Sequence, residues 1–237
     1  MAQGPSPPRR VLLGMGTPDN IRAIAEAAAE FAAAVRSELL CLMVEQEDLI
    51  HAAGLPFARA YGFGGVAAPF TLQVVQEHFD SLARAAEKAL AEACGRANVA
   101  WQMLRPQGDV MRELASAVQQ GDILVVDTRD LRQSAFGLIG ALRLLLDKAD
   151  AVVLPSAATH TQGPVVAVGG DRAVAIAASI AEALGRPLET IDLAELRQPR
   201  RRASVVVAPL EALVATGEDE WLRRMGALQA SAVIVAS

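Results

Sequence analysis

The sequence predicts an α/β protein: a parallel, Rossmann-like sheet with helices on both faces, followed by a second, truncated α/β repeat. Three observations carry this. Short apolar, β-branched runs alternate with Ala-rich helical stretches from Val11 onward, and strands alternating with helices imply right-handed crossovers and parallel pairing. Apolar residues make up 52% of the 237 positions but aromatics only 4%, a composition for small-residue helices packed on a sheet. The opening strand–turn–helix pattern returns near Val165 after a polar linker.

The elements follow in order. VLLGMG, residues 11–16, reads as a buried strand ending in a turn, and NIRAIAEAAAEFAAAVR as the helix after it. ELLCLMV is the second strand. A Gly-rich insertion, AGLPFARAYGFGGVAAPF at 53–70, precedes a long helix from Leu72 to Gly95. VAWQMLR, a helix led by Gly108, ILVVD, a loop with the helix SAFGLIGALRLLLDK, and AVVLP complete a unit spanning 10–156. After SAATHTQG, the run VVAVGGDRAVAIAASIAEAL repeats the opening, while SVVVAP, EDEWLRRMGALQ and AVIVAS repeat the close. The chain therefore reads as an internal repeat, 10–156 and then 164–237, whose second copy lacks a long helix and a strand between IDL and SVVVAP.

Several function classes are excluded or disfavoured. Net charge is −5 with no long basic run, which argues against nucleic acid. The apolar stretch AFGLIGALRLLL is too short to span a bilayer. The N-terminus lacks the apolar segment of a secretory signal, and Cys41 and Cys94 lie inside apolar segments, as buried thiols of a reducing compartment do. A cytoplasmic location is expected. His51, His78 and His160 are isolated, and no HxGH, GxSxG or Walker lysine is present. GGDRA at 169–173 lacks the serines of an SGGxDS pyrophosphatase loop, so it reads as a structural turn into a helix.

The order of elements in 10–156, and above all MLRPQGDVMRELASAVQQGDILVVD with its Gly-led helix and apolar strand, resembles the universal stress protein family. A shortened second copy of the same kind covers the remainder. The resemblance implies the fold, and in ATP-binding members an Asp after the first strand and a loop G-x2-G-x9-G-[ST] after the fourth. Registered on this chain, the first-strand position is Gly16, followed by Thr17, and the loop glycines fall at Asp127, Asp130 and Gly140, with Ala141 at the hydroxyl position. Val44 and Gly108 complete the nucleotide set the resemblance implies. In the second copy the matching positions are Gly169 or Gly170, Ala208 and Glu211.

Asp in place of Gly puts a side chain where backbone must approach, and a negative charge against phosphate. Two like charges ~4 Å apart cost on the order of 4 kcal/mol at an effective dielectric of about 20. Ordinary ATP binding is therefore expected to be lost and no cofactor to be held. Asp127 and Asp130 either cap the following helix or salt-bridge Arg129 or Arg143, or they hold a divalent cation that bridges to phosphate. The expected function is that of a non-catalytic regulatory or partner-binding protein. The alternatives are an ATP- or AMP-binding stress protein that uses the residual loop, and a structural subunit of a larger assembly.

Two further features bear on partners. Phe57, Tyr61, Phe63 and Phe70 concentrate aromatics in the 53–70 insertion, which reads either as a packed cover or as a partner-binding loop. Arg200, Arg201 and Arg202 read as a solvated connector or a contact for an anionic partner. The partner is a second protein or another copy of the chain, as in a homodimer. The two final strands are expected to pair with each other, Val152–Leu154 antiparallel to Val233–Val235, because an unpaired apolar edge invites association.

Overall fold

The computed structural model describes residues 10–16, 20–61, 67–156, 163–195 and 203–236. The elements run β1 (Val11–Met15), α1 (Ile21–Ala34), β2 (Leu39–Met43), β3 (Glu45–Gln46), α2 (Glu47–Ala53), β4 (Arg59–Tyr61), β5 (Ala67–Pro69), α3 (Leu72–Ala97), β6 (Trp101–Leu104), β7 (Gln107–Gly108), α4 (Val110–Ala117), β8 (Ile123–Val126), α5 (Thr128–Gln133), α6 (Gly137–Leu146) and β9 (Ala151–Leu154). They continue with β10 (Val165–Val168), α7 (Asp171–Leu184), β11 (Leu188–Ile191), β12 (Val205–Pro209), α8 (Leu210–Thr216), α9 (Glu218–Leu228) and β13 (Ser231–Val235).

One sheet of nine strands, ordered β11-β10-β12-β13-β9-β8-β1-β2-β6, runs through the molecule. Every neighbouring pair is parallel except β13 and β9, which are antiparallel with Val233 opposite Val153 and Ile234 opposite Val152. This is the pairing expected of the two final strands. The α/β, Rossmann-like fold class is present: alternate residues of the seven inner strands feed two separate cores. Val11, Leu13 and Met15 belong to the core that also holds residues of α1, α3 and α7, while Leu12 and Leu124 belong to the core that holds residues of α4, α6, α8 and α9. Such all-buried runs are what a parallel sheet covered on both faces requires.

Small side chains set the helix spacing. Ala25, Ala28, Ala29 and Ala32 of α1 and Ala83 and Ala86 of α3 are buried in the same core, so the two backbones approach closely. Thr71 caps α3 by accepting from the Val74 amide at 3.3 Å. At Gly14, in the middle of β1, an added Cβ would lie 2.6 Å from the Leu114 side chain. There the glycine allows α4 to seat against the sheet.

Two segments carry more regular structure than the sequence reading assigned them. The stretch from Asp127 to Gly140 is not an open loop. It folds into α5 and α6 with a short connection at 134–136, because Asp127 supplies a helix cap and GLIGALRLLL carries a strong apolar face. The insertion is not a Gly-rich coil throughout. It begins at the last residue of α2, Ala53, and contains the antiparallel pair of short strands β4 and β5, in which Ala60 faces Ala68. Thr17, Phe63, His160 and Arg200 to Arg202 lie outside the described residues, as does the side chain of Tyr61.

Candidate functional site

The carboxyl ends of β1, β2 and β8 form the edge where ligands bind in open α/β sheets. At that edge the Gly16 amide donates to Asp130 Oδ2 at 3.0 Å, and Gln46 Nε2 donates to the Gly16 carbonyl at 3.1 Å. Asp130 sits in the first turn of α5 and is only 7% exposed. Its carboxylate thus lies across the end of β1. An added Cβ on Gly16 would lie 2.7 Å from Val110 and 3.2 Å from the Asp130 carboxyl, so the space beside Gly16 is filled.

Asp127 serves the helix. Its Oδ1 accepts from the Arg129 amide at 2.8 Å, and the Arg129 guanidinium pairs with Oδ2 at 3.0 Å. This is the capping and Arg129 pairing weighed from sequence. Arg132 leans away to α9, 2.9 Å from Glu218 and 3.4 Å from Asp219. No three His, Cys, Asp or Glu side chains among the described residues converge as a metal site would.

The residues singled out from sequence divide among three places. Gly16 and Val44 line a small apolar cavity of about 20 Å³ with Met15, Met43 and Phe79. Gly108 and Asp130 line a larger one of about 690 Å³ between α2, α4 and the α5–α6 connection. Gly140 lies inside α6, where an added Cβ would meet Phe136 at 3.1 Å, and Ala141 is fully buried. Gly108 has φ of +156°, and a Cβ there would fall 2.7 Å from Glu113 Oε1, so glycine is needed for the turn into α4.

Sequence reasoning missed most of the large cavity's lining: Gln46, Glu47 and Asp48 from the start of α2, Asp109 and Arg112 from α4, and Phe136 with Leu144 from α6. The only signal was Asp109, a capping residue three positions before Arg112, whose amide it accepts at 2.9 Å. The two described aromatic side chains of the insertion, Phe57 and Phe70, point to different places. Phe57 is 97% exposed with φ of +69°, whereas Phe70 packs inward on Ala53, Val75 and Phe79. Cys41 and Cys94 are both buried, and burial pushes the Cys41 thiol up to about 12. His51 lies on α2, and the His78 ring stands 6.1 Å from that of Phe79.

The fold defines the class: an α/β protein built on a Rossmann-like, mostly parallel sheet. The chain is similar in structure to a universal stress protein from Archaeoglobus fulgidus DSM 4304, with a TM-score of 0.56 over 95% of this chain and 96% of that one. Identity is 12%, so the likeness is one of fold. No protein-family model matches the sequence, and no curated protein matches it. No described helix is long and apolar enough to cross a membrane.

Proposed function

We propose that the chain is a non-catalytic, universal-stress-type protein of the cytoplasm that regulates or binds a protein partner and no longer takes ATP at the inherited nucleotide position. The observation that carries this is the Asp130 carboxylate, held on the Gly16 amide at 3.0 Å and almost wholly buried. In this reading it fills the place that the family's nucleotide uses, with a charge that repels phosphate. Asp127, committed to the α5 cap and to Arg129, has no amide-lined loop beside it for a polyphosphate.

The same proposal divides the chain into a complete unit at 10–156 and a shortened copy at 164–237. The sheet order supports it: β9-β8-β1-β2 on one side of the antiparallel seam is answered by β13-β12-β10-β11 on the other. The copy has nothing matching α3 and β6 among the described residues, which agrees with a lost middle.

Calorimetric titration with ATP and with AMP, each with Mg²⁺, tests the reading. It expects no binding tighter than about 1 mM, whereas micromolar affinity, roughly −8 kcal/mol, would overturn it.

A further inference from the structure

The large cavity has a chemistry opposite to that of a phosphate site. Glu47, Asp48, Asp109 and Asp130 line it, against the single guanidinium of Arg112. The nearby arginines are engaged elsewhere, Arg129 with Asp127 and Arg132 with Glu218 and Asp219. The acids are spread around the walls rather than converged on one point, since no group of three could hold a metal ion among the described residues. Such a distribution suits an extended organic cation with several donors.

The same cavity has an exposed apolar side. Phe136 is 59% and Leu144 42% exposed, and both line it. Large apolar side chains left in water beside polar ones mark surfaces that meet a partner. At about 690 Å³ the cavity has room for one or two side chains, well inside the range of about 300–1,000 Å³ typical of ligand sites.

We propose that this cavity is the docking site for a basic, leucine-bearing segment of a protein partner. An arginine or lysine side chain of the partner enters among Glu47, Asp48 and Asp109, and the neighbouring leucine rests on Phe136 and Leu144. Charge complementarity selects this occupant over an acidic peptide or a nucleotide, because each carboxylate left facing an anion repels it. The proposal rests on the reading that nucleotide no longer occupies this edge, and it names the chemistry of the partner.

The test uses the full chain and a synthetic decapeptide of alternating arginine and leucine with glycine spacers, followed by calorimetry and by NMR shift mapping. Binding in the micromolar range is expected, weakening as salt is raised. The double variant Glu47→Gln with Asp48→Asn is expected to weaken it roughly tenfold, about what loss of charged hydrogen-bond partners costs. Phe136→Ser should weaken it as well. Removing two charges from α3 instead, Glu87→Gln with Glu92→Gln, should leave affinity unchanged, which separates the cavity from bulk net charge.

Absence of binding, equal weakening by both double variants, or shifts that map away from α2, α4 and α6 would overturn the proposal. So would spermidine or agmatine binding as tightly as the peptide, since that would make the cavity a site for a free amine. The functional reading fails separately, by micromolar ATP binding in a parallel titration of the same protein.

Discussion

At the scale of single residues, the molecule depends on a few buried charges with firm partners. Asp122 is fully buried at the start of β8, where Arg10 pairs with it at 3.0 Å and the Gln119 amide donates to it at 2.8 Å. Removing the guanidinium strands a carboxylate in the core, so Arg10→Met should destabilise the fold by about 3–5 kcal/mol in urea unfolding. Cys41 gives a pH prediction. Burial raises its thiol from an ordinary 9.0 to about 12, and the neighbouring Cys94 adds to the shift. The native state keeps the proton while the unfolded chain loses it, so this contribution to stability is whole below pH 9.0 and declines as pH rises toward about 12. Iodoacetamide at pH 8 should modify neither Cys41 nor Cys94 until denaturant is added, whereas rapid native labelling would contradict their burial. Asp130 is the residue whose part the sequence half disclosed. Its misfit with a glycine loop was legible, but its bond to Gly16 joins positions 114 apart in the chain and required the fold.

At the scale of elements, the strands and long helices were legible because their periods are strong. VLLGM, ILVV and AVVL are unbroken apolar runs, and α3 has its Thr71 cap and its apolar stripe in plain view. The short elements were not. α5 is TRDLRQ, with one apolar residue in six, and exists because Asp127 caps it and Leu131 anchors it in the core. The hairpin of β4 and β5 was hidden in a Gly-rich stretch whose turn signals outnumber its strand signals. The cavity residues of α2 and α6 were missed for the same reason: they come from element ends brought together only by crossovers. The seating of α4 on β1 makes a sharp expectation. Gly14→Ala places a methyl 2.6 Å from Leu114 and should cost about 1–3 kcal/mol, as overpacking does. Pairing it with Leu114→Ala, which opens the space, should recover part of that loss in a double-mutant cycle.

At the scale of the whole molecule, the antiparallel seam of β9 and β13 joins two parallel half-sheets into one, so two strands that would otherwise be apolar edges cover each other. Val153 and Ile234 sit at its centre and are fully buried. Val153→Lys and Ile234→Lys should each destabilise the protein by more than about 3 kcal/mol, with amide exchange rising in β8 and β12 alike. Exchange that rises on one side of the seam only would mean the halves are not coupled. The seam was legible from two similar closing strands at 151–155 and 232–237, but the continuous nine-stranded order was not, because it depends on which edges the crossovers leave free. The central proposal is that Asp127 and Asp130 close the nucleotide position that the family resemblance implies. The most direct measurement titrates ATP with Mg²⁺ into the parent chain and into Asp127→Gly with Asp130→Gly, side by side. The parent should show no binding tighter than about 1 mM and the variant a gain of roughly tenfold or more, whereas micromolar binding by the parent, or a folded variant with no gain, would contradict the claim.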